Sequence, residues 1–283
     1  MTSHVLQYDL ADNIATLTLN NGSNHNALSR DFWQDIKSII AEIENDDTVR
    51  VIVLRAEGPN FSSGIDRKML SSLFQERPEL ERGRRRNIFR EMVLDLQESI
   101  SILEKSAVPV IAAIQGACIG GAFDLVSAVD CRFATQDAYF NLKETELGFV
   151  ADLGILQRLP HLIPPGLARE LAYSSRSFEA DEALRHGFVN NVFATKHEMD
   201  TAIHKLAQTI AERSPLAIYG TKEAFKYGAD HSVDDALQHM ALWQSGMALT
   251  DDVGVAVTAM ANKEVPKFPD MPKNAPLYPK PTS

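Results

Sequence analysis

Three carboxylates lie in or just after the most apolar and glycine-rich part of this 283-residue chain. The uncharged stretch 108–123 runs directly into Asp124, and Glu144 and Asp152 follow within about thirty positions. An ionised carboxylate in an apolar setting is costly unless it is paired or neutralised, so such a group titrates at a shifted pKa. Carboxyl groups of this kind serve as acid and base in proton transfers near neutral pH. The sequence therefore points to proton-transfer chemistry.

Glycines beside the carboxylates suggest a binding site for negative charge. Gly120 and Gly121 precede Asp124 and open a predicted helix, whose N-terminus is its positive end. Backbone without side chains can approach a ligand closely and aim its N–H groups at developing negative charge. Close packing of a helix on a strand would also explain Gly120 and Gly121, and both roles are compatible.

Each carboxylate also has a purely structural interpretation. Asp152 precedes the apolar run 153–159 and could be a helix N-cap. Asp124 shares a helical face with Ser127 and could lie on a solvent-facing stripe. Glu144 could belong to an exposed loop. Only the combination of the three favours a catalytic site.

The composition excludes several classes of function. The chain is 45% hydrophobic and 23% charged, as in a globular protein of one large or two modest domains. Its net charge of −10 makes nucleic acid and anionic membranes poor partners. No stretch has the roughly 18 continuous apolar residues that a membrane span requires.

The cysteines and the two ends of the chain predict a cytoplasmic location. Cys118 and Cys131 lie in apolar segments without metal-like spacing, as reduced core residues do. The first residues lack the basic and apolar regions of a signal peptide, and the last three are not the Ser-Lys-Leu peroxisomal address.

Apolar runs alternating with helical patterns indicate an α/β architecture with parallel strands. Strands are predicted at 5–10, 14–19, 51–54, 108–114 and 130–134, with helices at 29–43 and 79–104. Helical periodicity dominates beyond 191, over 198–213, 215–227, 233–247 and 251–261. We therefore predict a core over 1–190, a C-terminal helical subdomain over 191–262 and an extended proline-rich tail over 263–283.

Missing motifs argue against a metal or a redox cofactor. The chain has no Gly-x-Ser-x-Gly elbow and no Walker lysine, and its glycines do not fit Gly-x-Gly-x-x-Gly. Its histidines form no i, i+4 pair with an acidic partner of the kind that binds zinc. No cofactor is expected.

Several segments together resemble the enoyl-CoA hydratase/isomerase (crotonase) family, in the family's order and over nearly the whole chain to about residue 262. They are 14–20 with 26–28, 61–66, 109–116 leading into 119–124, and 180–184 with 187–189. The resemblance implies a crotonase-like spiral of ββα units, an acyl-CoA thioester substrate, and assembly into trimers or hexamers through the C-terminal helices. Apolar side chains on more than one face of those helices agree with assembly.

The resemblance also implies roles for the site residues. The N–H groups of Ile65 and Gly121, beside Gly64 and Gly120, would form an oxyanion hole for the thioester enolate. Arg67 and Lys68 follow the first oxyanion loop and are candidates for the CoA phosphates. Asp66 is better explained as a local helix cap.

Asp124, Glu144 and Asp152 together match the Δ3,5-Δ2,4-dienoyl-CoA isomerases of the family. That reaction removes a proton at C2 and adds one at C6, which are too far apart for a single small carboxylate. The resemblance implies Glu144 as the base at C2 and Asp152 as the acid at C6, with Asp124 tuning the pair. Asp152 must then be protonated near neutral pH, which requires a raised pKa.

Other functions compete with this interpretation. A 2-enoyl-CoA hydratase of fatty acid β-oxidation is the main alternative, although hydratases usually carry glutamate at 124 and a small residue at 152. A non-catalytic RNA-binding relative is disfavoured, because residues 29–50 carry six acids against three basic side chains. A scaffold that uses only the helical end is disfavoured by the retained carboxylates.

Two basic features remain open. The run 82–86 contains four arginines, which could contact CoA phosphates or nucleic acid, although a solvated helix face is the favoured interpretation. Lys222 could reach CoA from a C-terminal helix.

Overall fold

The computed structural model describes residues 5–73, 79–247 and 250–272. The strands are β1 (Leu6–Ala11), β2 (Ile14–Leu19), β3 (Val51–Ala56), β4 (Val110–Ile114), β5 (Ala117–Ile119), β6 (Cys131–Thr135), β7 (Tyr139–Asn141), β8 (Phe178–Glu179) and β9 (Asn191–Phe193). The helices are α1 (Arg30–Glu44), α2 (Arg67–Leu73), α3 (Arg82–Lys105), α4 (Gly121–Ser127), α5 (Ile155–Leu162), α6 (Pro165–Ser174), α7 (Ala180–Arg185), α8 (Lys196–Ala211), α9 (Pro215–Gly228), α10 (Val233–Met247) and α11 (Asp251–Asn262).

Two sheets form the core. The larger has the order β1-β2-β3-β4-β6-β9, and all its pairs are parallel except β1 with β2. The smaller has the order β5-β7-β8, in which β5 and β7 are parallel. The α/β prediction is therefore confirmed.

The chain winds as a spiral between the two sheets. After β3, β4 and β6 in the large sheet, it crosses each time to the small layer, at Ser62, β5 and β7. Cys118 pairs with both Ser62 and Phe140 there, so three successive turns stack in register. The predicted spiral of ββα units is confirmed, and the end of the small-layer segment recurs at the same place in every turn.

Gly116 makes the sharp corner between β4 and β5. Its φ is +56°, and a Cβ atom there would lie 2.2 Å from the carbonyl oxygen of Pro59. Only glycine fits so close to another backbone in this left-handed conformation. The corner thereby sets where β5 begins.

Helix caps explain where the helices begin. The Ser29 hydroxyl accepts the Phe32 N–H at 3.4 Å and starts α1, as predicted. Helix α3 begins at residue 82 rather than 79, because the Glu81 carboxylate accepts the N–H groups of Gly83 and Arg84 at 2.8 and 3.1 Å. The arginine-rich first turns of α3 are largely exposed, in keeping with a solvated helix face.

The last helices differ in how they meet the core. Helix α8 buries Met199, Ile203 and Ala207 against the large sheet, whereas α9–α11 bury few side chains of their own. Strand β9 pairs with the large sheet and α8 packs on it. The domain boundaries at 190 and 262 stay predictions. Of the predicted tail 263–283, residues 273–283 lie outside the described residues.

Candidate active site

The candidate site lies where the small-layer segments of three successive spiral turns end. The small-layer segments lead into Ile65, Gly121 and Glu144, each three or four residues after the paired positions Ser62, Cys118 and Phe140. Because these positions are in register, the spiral brings the three junctions side by side. Parallel backbone hydrogen bonds hold the first two: Ser62 N–H to Ala117 O at 2.9 Å, and Ile119 N–H to Ser62 O at 3.1 Å.

The N–H of Ile65 points away from its neighbouring strand segment. Leu28 forms a parallel bridge with Ile65, donating to Gly64 O at 2.8 Å and accepting from the Asp66 N–H at 3.1 Å. In a parallel bridge the central residue turns its own N–H to the opposite side. Within the described residues, no protein acceptor is bonded to it.

The N–H of Gly121 is also available. Gly121 is the first residue of α4, so its N–H has no acceptor within the helix. The two backbones are in close contact, because a Cβ on Gly64 would lie 2.5 Å from Ile119 O and 3.6 Å from Gly121 N. Two neighbouring backbone donors of this kind suit an oxygen that becomes negative during a reaction.

An aromatic cluster fixes α4 beneath this pair of donors. Phe123 is fully buried, and its ring centroid lies 5.2 Å from that of Phe188 and 5.3 Å from that of Phe140. Close ring packing restrains the side chain, and with it the first turn of α4. The donors are therefore held in place before any ligand arrives.

We expect Gly64→Ala to lower activity by about 10²–10³-fold, the usual cost of losing one oxyanion donor. Its φ of +87° strains any other residue, and the added Cβ would meet Ile119 O, so Ile65 must move. Gly187→Ala is the matched control: its φ is +77°, but nothing lies within 4 Å of the added atom. Comparing kcat of the two variants checks the expectation, and equal losses would contradict it.

Asp124 is buried and caps another helix. It is 1% exposed, so it lies on no solvent-facing stripe. Its Oδ1 accepts the N–H of Ile155, the first residue of α5, at 2.8 Å. The residue at the N-cap position itself is Gly154, which makes no side-chain bond. The capping role considered for Asp152 therefore belongs to Asp124, which reaches across from α4.

Glu144 places a carboxylate against the glycine pair. It is 8% exposed, so it is not a loop-surface residue. Its Oε1 lies 3.2 Å from where a Cβ on Gly120 would stand. Its Oε2 is buried without a hydrogen-bond partner among the described residues. A buried oxygen left unpaired beside two free N–H groups is available to a ligand.

Asp152 lies on the open side of the site. Asp152 is exposed in the single chain, yet its negative charge raises the pKa of both Asp124 and Glu144. Its backbone carbonyl accepts a hydrogen bond from Gln97 Nε2 at 2.7 Å. The structure therefore brings the three predicted carboxylates together, one buried, one lining the glycines and one facing solvent.

Burial shifts the pKa of all three carboxyl groups upwards. Full burial, then the charge of Glu144, raises the pKa of Asp124 to about 8. Burial, and to a smaller extent the charge of Asp152, raises the pKa of Glu144. Partial burial raises the pKa of Asp152. Groups this close titrate as a coupled set, which can hold protons at neutral pH.

We expect the protein to become less stable as the pH rises from about 5 to about 8. In this window Asp124 holds a proton when folded but has lost it when unfolded, so unfolding releases a proton and is favoured by higher pH. The contribution of one group is at most about 1.4 kcal/mol per pH unit. Asp124→Asn keeps an acceptor for Ile155 and should flatten the dependence. Thermal unfolding across this range checks it, and an unchanged slope in the variant would contradict it.

Arg67 and Lys68 lie exposed on the first turn of α2. Asp66 caps that helix, since its Oδ1 accepts the N–H groups of Lys68 and Met69 at 2.9 and 3.1 Å, and these bonds lower its pKa. The capping interpretation of Asp66 is therefore confirmed. The two basic side chains follow the first donor directly in sequence, and their predicted contact with phosphate stays a prediction.

Lys222 is a structural residue, contrary to the suggestion that it reaches CoA. Its ammonium is buried and donates to Asp130 Oδ2 at 2.8 Å and to Val108 O at 3.0 Å. These bonds link α9 to the segments just before β4 and β6. Its partner Asp130 lies 92 residues away, so the local sequence around Lys222 could not reveal this buried ion pair.

The sequence did not identify Gln97 and Arg158 as parts of the site. Arg158 on α5 donates to Glu104 Oε2 and Ser101 Oγ, both on α3, at 2.9 Å. Its guanidinium also covers Gly154, 2.0 Å from where a Cβ would lie. The bonds of Arg158 to α3 and of Gln97 to the Asp152 carbonyl span more than fifty residues, so no local pattern reveals them.

Metal-binding clusters and membrane-spanning helices are both absent from the described residues. Over residues 5–73, 79–247 and 250–272, no three His, Cys, Asp or Glu side chains are grouped to hold a metal ion. The expectation that no metal or cofactor takes part stays a prediction. No helix in this part of the chain is long and apolar enough to cross a membrane.

Comparisons with known proteins agree with the geometry. Residues 9–271 match the family model for enoyl-CoA hydratase/isomerase. The chain is 38% identical to the peroxisomal Δ3,5-Δ2,4-dienoyl-CoA isomerase of Arabidopsis thaliana, over 94% of this chain and 96% of the relative. It is 40% identical to the mitochondrial enzyme of that name from Mus musculus, over 87% and 75%. The crystal structure of an enoyl-CoA hydratase from Bacillus anthracis superposes with a TM-score of 0.83 at 29% identity, over 94% and 99%.

The prediction of a cytoplasmic location is wrong. These relatives are named peroxisomal and mitochondrial. Location is set by short address segments that receptors read, independently of the folded domain. Reduced cysteines, on which the prediction rested in part, describe the folded chain and do not distinguish these compartments.

Proposed function

The chain belongs to the enoyl-CoA hydratase/isomerase family, and from that premise we propose that it is a Δ3,5-Δ2,4-dienoyl-CoA isomerase. The observation that carries the proposal is the meeting of two free backbone N–H groups with three carboxylates of unequal burial. The names of the relatives from Arabidopsis thaliana and Mus musculus support the same reaction.

The N–H groups of Ile65 and Gly121 receive the thioester oxygen. Removing a proton from C2 moves negative charge onto this oxygen, forming a conjugated trienolate. Donors that already face that position stabilise the charge without having to reorganise. The N-terminus of α4 adds its positive end at Gly121. The thioester carbonyl is thereby fixed, and the acyl chain that follows it lies beside the three carboxylates.

Glu144 takes the proton from C2. Its carboxylate lies against Gly120, next to the donor at Gly121, and C2 is the carbon bonded to the thioester carbonyl. Its buried Oε2 has no partner among the described residues, so its lone pairs are free to accept a proton. A base beside the oxyanion donors removes the proton where the resulting charge is best stabilised.

Asp152 gives a proton to C6. The double bonds then move from the 3 and 5 positions to the 2 and 4 positions, and no atoms are gained or lost. Its raised pKa favours the protonated form that this step needs. Its place on the open side of the site gives it access to solvent protons for the next turnover.

Asp124 holds the other two carboxyl groups in place. With a pKa near 8 it is neutral at pH 7, so it adds no negative charge beside Glu144. Its bond to the Ile155 N–H ties α4, which carries the oxyanion donor, to the start of α5 just after Asp152. Asp124 thus sets the spacing of acid and base, and Arg67 and Lys68 on α2 are proposed to meet the CoA phosphates.

A 2-enoyl-CoA hydratase is the second candidate, because Asp124 and Glu144 are two acidic groups beside the same oxyanion donors. Hydration would add water across C2=C3 and would need no acid at C6. An absorbance assay of the purified protein separates the two. Conversion of a 3,5-dienoyl-CoA into a conjugated 2,4-dienoyl-CoA supports the isomerase. Turnover of a 2-enoyl-CoA without any isomerisation would replace it with the hydratase.

We further propose that the protein forms a trimer or a dimer of trimers through its C-terminal helices. Large apolar side chains stand exposed on α9, α10 and α11 in the single chain, among them Phe225, Leu237, Leu242, Val257 and Met260. Large apolar side chains exposed on neighbouring parts of the chain are typical of a protein–protein interface. A trimeric or hexameric mass by light scattering would agree, and a monomer at micromolar concentration would overturn the proposal.

A further inference from the structure

Three side chains from three helices form hydrogen bonds with the backbone of residues 152–155. Gln97 on α3 donates to the carbonyl of Asp152 itself, at 2.7 Å. Arg158 on α5 donates to Leu153 O at 3.5 Å, and Asp124 on α4 accepts the Ile155 N–H at 2.8 Å. Residues 152–154 have no regular secondary structure, and these three hydrogen bonds hold the segment where it enters α5.

Gln97 differs from the other two in what it contacts. Arg158 is also bonded to Glu104 and Ser101 of α3, and Asp124 is itself one of the carboxyl groups. The amide of Gln97 has one hydrogen-bond partner among the described residues, the backbone oxygen of the very residue that carries the acid. It lies on α3 one residue after Leu96, which is buried in the core. Gln97 thus joins a fixed helix to Asp152 directly.

We propose that Gln97 is a positioning residue that aims the Asp152 carboxyl at C6. The inference rests on the proposed isomerase function. The Asp152 carboxyl is exposed in the single chain and is hydrogen-bonded to the N–H of its own residue, so the position of this stretch of backbone sets the direction of the carboxyl. Without the Gln97 bond, the segment can shift while Glu144 and the oxyanion donors, which stand on other elements, stay in place. Displacing a reacting group by about 1 Å can cost on the order of 10² in rate.

The test is Gln97→Met, which keeps the length of the side chain but removes the donor. We expect kcat for isomerisation of a 3,5-dienoyl-CoA to fall by about 10–100-fold, with KM near that of the unaltered protein. Exchange of the C2 protons with deuterated solvent should persist, so the ratio of exchange to isomerisation should rise. Mere loss of folded protein would lower both rates together and leave the ratio unchanged.

Two further variants complete the experiment. Gln97→Glu has the same shape but carries a carboxylate, which cannot donate to a carbonyl, so it should also raise the ratio. Gln157→Met is the matched control, because this exposed glutamine on α5 makes no side-chain bond among the described residues. It should behave as the unaltered protein does.

The outcomes separate this inference from the function on which it rests. If the unaltered protein isomerises the substrate and Gln97→Met and Gln97→Glu keep its ratio of exchange to isomerisation, only the role of Gln97 is overturned. If the unaltered protein hydrates 2-enoyl-CoA and isomerises nothing, the isomerase function is overturned, and the role of Gln97 with it.

Discussion

Asp152→Asn is expected to lower the isomerisation rate by about 10²–10⁴-fold, the usual contribution of a general acid. Asparagine keeps the size of the side chain but cannot donate a proton to C6. Glu144 and both backbone donors remain, so the variant should still bind the CoA thioester and still form the conjugated trienolate. Exchange of C2 protons with deuterated solvent should therefore persist while the 2,4-diene fails to appear.

This result distinguishes a catalytic from a structural role, because the Asp152 side chain does not stabilise the start of α5. Its side chain does not cap that helix, for Asp124 accepts the Ile155 N–H instead. We therefore expect the thermal stability of Asp152→Asn to stay close to that of the unaltered protein. Turnover of a 3,5-dienoyl-CoA at the normal rate would remove Asp152 from the mechanism and favour the hydratase.

Glu144→Gln is expected to abolish both isomerisation and C2 exchange, with losses of about 10²–10⁴-fold in each. Glutamine fills the same space beside Gly120, but its amide cannot accept the C2 proton. Because the carboxylate is 8% exposed, water cannot easily take its place as the base. NMR of the substrate in deuterated buffer measures the exchange directly.

The two variants together define the order of the steps. Glu144→Gln blocks the first proton transfer, whereas Asp152→Asn blocks only the second. If Glu144→Gln lost isomerisation but kept C2 exchange, another group would have to be the base, and the assignment of Glu144 would be wrong.

Much of the fold could be predicted because local patterns reveal it. The alternating residues of β1 and β2, the continuous apolar run of β3, and the Ser29 cap of α1 all depend on neighbours a few positions away. The glycines at 64, 120 and 121 stand out in the sequence, since positive φ or close backbone approach leaves few alternatives. The resemblance to a known family supplied the spiral and the site roles.

What the sequence could not supply are contacts made across the spiral. Asp124 capping α5, Lys222 paired with Asp130, and Gln97 bound to Asp152 O each join residues 31 or more positions apart. Each of these side chains has an ordinary local explanation, as a helix-face polar or charged residue. Only the register of the stacked turns and the packing of α3, α5 and α9 on them decides which partner it meets.

Isomerisation of a 3,5-dienoyl-CoA by the unaltered protein in deuterated water tests most directly whether two separate carboxylates move the proton. Asp152 faces solvent. In the proposed mechanism it takes up a solvent proton before each turnover, so the 2,4-dienoyl product should carry solvent deuterium at C6. If the hydrogen removed from C2 instead appeared at C6, with no deuterium there, a single group would be carrying it, and the division of roles between Glu144 and Asp152 would be contradicted.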